Sequence, residues 1–429
     1  MNPRRLALTL LLKQEQNQQY SNIALDHALT REKLSESDRA LVSALVLGVT
    51  ERRITLDHSL SILSSRPLSS LDADARCALR LGLYQLCYLD RIPPHAAINE
   101  TVAICRKRSA GFVNAVLRSY TRLSTPIAMP DEKKEPVRAL SVTYSVCEPL
   151  AEKLLSVFGY ERAASYLAAT LTSPPTTLRV NTLRSTKEEL LSHLSGAIPT
   201  PFSQNGLRVM GALRSLFGFS EGFFFVQDEA SQLAVEVLDP KRGQRVIDTC
   251  GCPGSKSFGA AIQMENEGEI FSFDLHANKL SLVVSGAERL GITILKTDAR
   301  DARNPDERLF GTADRVICDV PCSGFGVLAK KPELRYKDPA VSASLPALQA
   351  EILEKSSAYL KSGGVLVYST CTVLPEENEE VVMAFLAKHP EFSLSPFSLG
   401  NTPVPEGLIT LAPDTHGTDG FFIARLVRA

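Results

Sequence analysis

Arg245-Val246-Ile247-Asp248-Thr249-Cys250-Gly251-Cys252-Pro253-Gly254-Ser255-Lys256 carries a short apolar strand straight into a turn with two glycines, and its reading decides the fold of the second half of the chain. Runs of the same kind follow at Ile270-Phe271-Ser272-Phe273-Asp274, Thr293-Ile294-Leu295-Lys296, Arg315-Val316-Ile317-Cys318 and Gly364-Val365-Leu366-Val367-Tyr368, spaced by helical stretches. Near-continuous apolar runs suit strands buried on both faces, and strands alternating with helices predict a doubly wound, Rossmann-like α/β sheet over residues 236–429. A last strand is expected at Phe421-Phe422-Ile423-Ala424-Arg425-Leu426-Val427. In open sheets of this kind, ligands collect at the carboxyl ends of the strands.

Upstream the pattern changes. Through residues 1–130 apolar residues recur at three and four, as in Leu41, Leu45, Val46 and Val49, or Leu79, Leu83, Leu86 and Cys87, which predicts an all-α domain. Helix breaks fall at Ser65-Arg66-Pro67 and at Arg91-Ile92-Pro93-Pro94-His95. Residues 131–144, opening on Asp131-Glu132-Lys133-Lys134-Glu135 and containing Pro136, read as a linker. Residues 145–235 read as a small α+β segment, with a strand at Thr177-Leu178-Arg179-Val180-Asn181, a helix from near Thr186, a strand at Gly222-Phe223-Phe224-Phe225-Val226-Gln227 and Asp228 as the cap of the next helix. Phe223, Phe224 and Phe225 are expected in the core.

A length of 429 residues calls for more than one core. The net charge of −1 conceals an asymmetry, since residues 1–130 hold 17 Lys and Arg against 11 Asp and Glu, an excess of +6. Such an excess fits contact with phosphates as well as it fits a solvated helical surface. Nine cysteines without a C-x-x-C pair argue for reduced thiols, hence a cytoplasmic protein, and against zinc. The apolar run at Leu6-Ala7-Leu8-Thr9-Leu10-Leu11-Leu12 passes into Lys13-Gln14-Glu15-Gln16 without a cleavage site and reads as a first helix, not a signal peptide. No stretch approaches the roughly 20 apolar residues of a membrane span, so the chain is expected to be soluble, free of membrane contact and, with no evident dimer stripe, monomeric.

The candidate site lies at the predicted strand ends. Cys322 stands in Asp319-Val320-Pro321-Cys322-Ser323-Gly324 and Cys371 in Ser369-Thr370-Cys371-Thr372, about 5 Å apart if their strands are neighbours. Asp274 ends the second strand where a ribose-binding carboxylate would stand, and Asp298 ends the third. Neither G-x-G-x-x-G nor G-x-x-x-x-G-K-[ST] is present, which favours a nucleoside cofactor without phosphates, and S-adenosylmethionine fits that description. Its electrophilic methyl group gives two thiols a purpose. Carbon 5 of a pyrimidine is too weak a nucleophile to accept a methyl unaided, but a thiolate adding to carbon 6 turns the ring into an enamine-like nucleophile. A free cysteine is more often an inert buried thiol, and it is the shared motif context that argues otherwise.

Asp-x-Pro-Cys-Ser-Gly together with Ser-Thr-Cys-Thr-x-x-Pro-Glu-Glu-Asn-Glu resembles the RNA (cytosine-5)-methyltransferase family, in its branch acting on bacterial small-subunit ribosomal RNA. The resemblance covers nearly the whole chain. Arg91-Ile92-Pro93-Pro94-His95-Ala96-Ala97 and Phe112-Val113-Asn114-Ala115-Val116-Leu117-Arg118 are similar to a NusB-like RNA-binding module. It implies a multidomain protein: an all-α RNA-binding domain, a small α+β segment and a Rossmann-like class I methyltransferase domain that uses S-adenosylmethionine on 16S ribosomal RNA. It further implies that Cys371 attacks carbon 6, Cys322 assists breakdown of the adduct, and Asp319 meets the ring edge and favours protonation at nitrogen 3. Cys250, Gly251, Cys252, Pro253, Gly254, Ser255 and Lys256 would form the cofactor turn, Asp274 would hold the ribose hydroxyls, Asp298 would lie beside the adenine, and Lys279 takes the place of a family arginine. Asp319 would also face the cofactor.

The turn departs from the family's Ala-Ala-Pro-Gly-Gly-Lys-Thr, having Ser255 at the second glycine. If that position needs positive φ or close ligand approach, Ser255 strains the turn by about 1 kcal/mol and Ser255→Gly should tighten cofactor binding. Two other readings are consistent with parts of the sequence. A DNA cytosine methyltransferase would use the Pro-Cys cysteine, Cys322, as its nucleophile, and a non-catalytic RNA-binding assembly factor would have no use for either thiol. An amino-group methyltransferase would instead call for Asp/Asn-Pro-Pro-Tyr at the fourth strand.

Overall fold

Near-continuous apolar side chains along a strand must be buried on both faces of a sheet, and the computed structural model has this arrangement. It describes residues 2–17, 21–172, 174–210 and 216–429. The chain divides into two compact units, one made of Met1–Thr172 with Leu328–Pro339 and the other of Ser173–Val327 with Ala340–Ala429.

The first unit is helical. Helices Pro3–Asn17, Glu36–Glu51, Arg53–Leu63, Ala73–Tyr88, Pro94–Ile104 and Lys107–Tyr120 enclose a core that includes Leu45, Leu60, Leu79, Leu83 and Leu117. The breaks expected at residues 65–67 and 91–95 are present, with Pro94 opening its helix at the first position, where a missing N–H costs nothing. The expected linker differs in its second half. Pro136–Tyr144 is a helix with Ala139, Leu140, Ser141 and Val142 buried, because Pro136 sits at a helix start and so initiates the helix instead of breaking it. Residues 328–339 also pack into this unit. Arg335 is fully buried there, donating to the carbonyl of Tyr144 at 3.0 Å and to the carbonyl and hydroxyl of Thr170 at 2.6 and 2.8 Å.

The second unit contains β1 (Thr176–Val180), β2 (Ile198–Pro199), β3 (Gly206–Val209) and β4 (Phe224–Val226), an antiparallel sheet in the order β2-β3-β1-β4. Phe224 and Phe225 are buried, as expected, whereas Phe223 is only half-buried. Asp228 accepts from the amide of Ala230 at 3.0 Å and caps the helix Glu229–Leu238.

The larger sheet is built from β5 (Arg245–Asp248), β6 (Glu269–Asp274), β7 (Leu295–Ala299), β8 (Ala313–Asp319), β9 (Leu360–Thr370), β10 (Phe392–Leu394), β13 (Leu408–Leu411) and β14 (Phe421–Arg428), while β11 (Phe397–Leu399) pairs only with β12 (Thr402–Val404). Its order is β10-β14-β9-β8-β5-β6-β7, with β13 against β14. β5 to β9 pair in parallel and β14 runs antiparallel to β9. Alternation sorts the core into two layers: Val246, Ile270, Ile317, Val365, Val367 and Ile423 pack on one face, and Ile247, Val316, Cys318, Leu366, Tyr368 and Phe422 on the other. The third strand begins two residues later than expected, since Gly291, at φ 75°, closes the preceding helix and residues 292–294 are spent reaching the sheet edge. Strand order reverses between β5 and β8, the switch point at which such sheets open a crevice.

Candidate active site

The turn after β5 is shaped by its glycines. Gly254 has φ 108°, and a Cβ there would fall 2.4 Å from the ring of Phe258; a Cβ at Gly251 would fall 2.0 Å from Ser272 Oγ. The turn therefore lies flat against the end of β6 and leads into the helix Ser255–Gln263, whose first amides have no intrahelical acceptor. Asp274 Oδ2 accepts from the amide of Cys252 at 3.2 Å and Oδ1 from that of His276 at 2.9 Å, so the carboxylate ending β6 is tied to the turn. Backbone without side chains at 251 and 254, beside a fixed carboxylate, fits a nucleoside cofactor.

Positive φ belongs to Gly254, whereas Ser255 is the first residue of the helix and absent from the left-handed region. The positive-φ ground for strain at Ser255 is therefore overturned, and close approach of a ligand to that position is the ground that remains for Ser255→Gly to tighten binding. Lys279 is exposed on the helix Ala277–Leu290. Asp298 is the penultimate residue of β7, not its end, and pairs with Arg300 at 3.0 Å.

Parallel register brings Asp319 opposite Ser369, and Ser369 Oγ donates to Asp319 Oδ1 at 2.7 Å. Lys256 Nζ meets Asp319 Oδ2 at 2.6 Å, with its ammonium 5.1 Å from the ring centroid of Phe421. Lys256 is 8% exposed, so its ammonium is paired with Asp319 on the buried side, while the Asp319 side chain keeps 29% of its surface open.

Beyond these strand ends the two sulfurs converge. Cys322 Sγ and Cys371 Sγ are 3.2 Å apart, and the amide of Cys371 points to Cys322 Sγ at 3.3 Å. The hydrogen bond to Cys371, followed by burial, pushes the Cys322 thiol well above its ordinary value. Cys318 and Cys252 are each pushed up to about 12, the first by burial and the second by burial and the Asp274 carboxylate, and Cys250 is raised further by burial. All three are poor nucleophiles near neutral pH. Among the described residues no cluster of His, Cys, Asp and Glu is arranged to hold a metal ion, and no helix is long and apolar enough to cross a membrane.

Sequence reading passed over three contributors. Glu377 and Asn378, both buried, brace the loops that carry the cysteines: Thr370 Oγ1 donates to Asn378 Oδ1 at 2.6 Å, and Asn378 Nδ2 donates to the carbonyl of Thr372 at 3.1 Å. Their place in Pro-Glu-Glu-Asn-Glu was the available signal. Asp248, buried at the end of β5, accepts from Ser257 Oγ at 2.6 Å, and its other oxygen finds no partner among the described residues. Burial raises its carboxyl to about 7, against an ordinary value near 4. The folded state thus holds a proton between about pH 4 and 7 that the unfolded chain has lost, and stability contributed below pH 4 disappears as pH rises through 7. Asp248→Asn should flatten that decline, gaining on the parent by an order of a few kcal/mol between pH 4 and 8 in urea melts, with parallel curves as the opposing result.

A Rossmann-like sheet with this turn and these strand-end groups, preceded by a NusB-like helical region, defines the class I methyltransferases joined to an RNA-binding module. The sequence model of the family described as 16S rRNA methyltransferase RsmB/F matches residues 235–427, and that of the NusB family matches residues 1–122. The chain is 37% identical to a probable ribosomal RNA small subunit methyltransferase B of Bacillus subtilis (strain 168), covering 99% of this chain and 98% of the relative. It is 35% identical to the protein of the same description in Synechocystis sp., over the full length of both. The crystal structure of PH0851 superposes with a TM-score of 0.81 at 25% identity, covering 100% of this chain and 99% of that one. The chain belongs to the RsmB/F family of rRNA methyltransferases, enzymes whose methyl donor is S-adenosylmethionine.

Proposed function

We propose that this chain transfers a methyl group from S-adenosylmethionine to carbon 5 of a cytosine in small-subunit ribosomal RNA, through a covalent adduct between Cys371 and carbon 6. The observation that carries the reading is the pair of sulfurs 3.2 Å apart at the ends of neighbouring parallel strands, beside Asp319. The bound cofactor supplies an electrophilic methyl group. Backbone of residues 250–256 and the carboxylate of Asp274 would hold it, with Asp298 and Lys279 as further candidate contacts.

The chain's own residues then divide the work. The Cys371 thiolate forms a bond to carbon 6, and electron density moves to carbon 5, which takes the methyl group. Asp319, held by Lys256 and Ser369, meets the ring edge and favours the nitrogen 3-protonated ring that addition produces. Release passes the carbon 5 proton to a base, water or the Cys322 thiolate, while the electron pair left behind reforms the carbon 5–carbon 6 double bond and expels Cys371 as thiolate; Cys322, already against Cys371, assists this step. The target base must leave its stack to present its face, so single-stranded or loop RNA is the expected target, reached by a cytoplasmic, monomeric enzyme through its NusB-like module. Transfer of radioactive methyl from S-adenosylmethionine to unmodified small-subunit RNA tests the reading: label recovered as 5-methylcytosine supports it. RNA binding without any label would favour an assembly factor.

A further inference from the structure

The backbone on both sides of Cys322 is held by one buried carboxylate and one buried amide. Glu377, 1% exposed in the turn Pro375–Glu377, accepts through Oε2 from the amide of Ser323 at 2.8 Å and from Gln349 Nε2 at 2.9 Å. Gln349, fully buried on the helix Leu345–Ser357, donates through the same nitrogen to the carbonyl of Pro321 at 3.0 Å. Residues 321 and 323 are thus both restrained, with Cys322 between them. The contacts toward the other cysteine use neither of these side-chain groups: the Tyr368 hydroxyl on β9 donates to the main-chain carbonyl of Glu377 at 2.7 Å, and Ser323 Oγ lies 2.8 Å from Thr372 Oγ1, one residue past Cys371. Both partners of the Glu377 carboxylate are neutral donors. Burying a carboxylate on such terms is costly, and a neutral pair of the same shape would hold the loops more cheaply.

We propose that Glu377 and Gln349 form a positioning clamp that sets the sulfur of Cys322 for adduct release and leaves addition by Cys371 largely untouched. This rests on the proposed reading in which Cys322 assists release. The charge of Glu377 also adds to the influences that raise the Cys322 thiol.

Rapid-quench turnover of the full-length protein with labelled S-adenosylmethionine and small-subunit RNA separates the two steps, counting denaturant-resistant adduct as it forms and as it decays. Glu377→Ala and Gln349→Ala should slow release by about 10- to 100-fold while formation stays within about threefold of the parent. Glu377→Gln retains an oxygen for Ser323 and should restore release to within about threefold, which also serves where an alanine variant does not fold. Formation and release falling together in folded variants, release at the parent rate in the alanine variants, or no rescue by glutamine would overturn the clamp. Cys322→Ala, run beside them, tests the underlying reading separately: if it accumulates no adduct, the division of labour between the thiols fails whatever the clamp variants do.

Discussion

Cys371→Ala is expected to reduce methyl transfer by about 10⁴-fold or more, with RNA and S-adenosylmethionine still bound. Removing an attacking group eliminates the step on which every later one depends, and losses of this size are typical when a nucleophile is deleted. No other thiol nearby can substitute. Cys318, Cys252 and Cys250 are all held far above neutral, and the Cys322 thiol is likewise raised by its hydrogen bond to Cys371 and by burial. Cys371 follows directly on β9, so truncation at Cβ leaves the strand and the Gly326 amide bonded to its carbonyl at 2.9 Å in place. Scintillation counting of methylated RNA, with calorimetric titration of the cofactor, gives the outcome. A variant retaining a tenth of parent activity would rule Cys371 out as nucleophile.

Cys322→Ala should have the opposite character. Addition and methylation proceed, release fails, and a protein–RNA adduct that survives denaturing electrophoresis accumulates to a large fraction of the enzyme. Cys371→Ala and the double variant should form none. A DNA-type mechanism exchanges these phenotypes, because there the Pro-Cys cysteine attacks. Stability should change by no more than about 1 kcal/mol, since a half-buried thiol contributes little packing, so both outcomes are readable in folded protein.

The contrast between these residues and Ser255 illustrates how far a motif can be read. Asp-x-Pro-Cys and Ser-Thr-Cys-Thr were legible because their chemistry is local: a strand, then a thiol, within a few residues. Ser255 was read as strained because a motif column does not say which residue bears the unusual backbone angle, and that angle lies on Gly254. Glu377 and Asn378 were visible as letters of a motif yet silent about their partners, which come from the loop after β8, from the helix Leu345–Ser357 and from β9.

By itself the sequence determined that the N-terminal third is helical and that a parallel, doubly covered sheet follows, because periodicity is a property of neighbouring residues and each buried strand must carry its own apolar run. It also determined which residue types end the strands. Only the tertiary structure decided the strand order that puts β8 beside β9, the register that pairs Asp319 with Ser369, the 3.2 Å between the two sulfurs, and the passage of residues 328–339 into the helical unit, where Arg335 is buried. Each of these depends on residues far apart in the chain, whose meeting is set by packing the whole and not by any local preference.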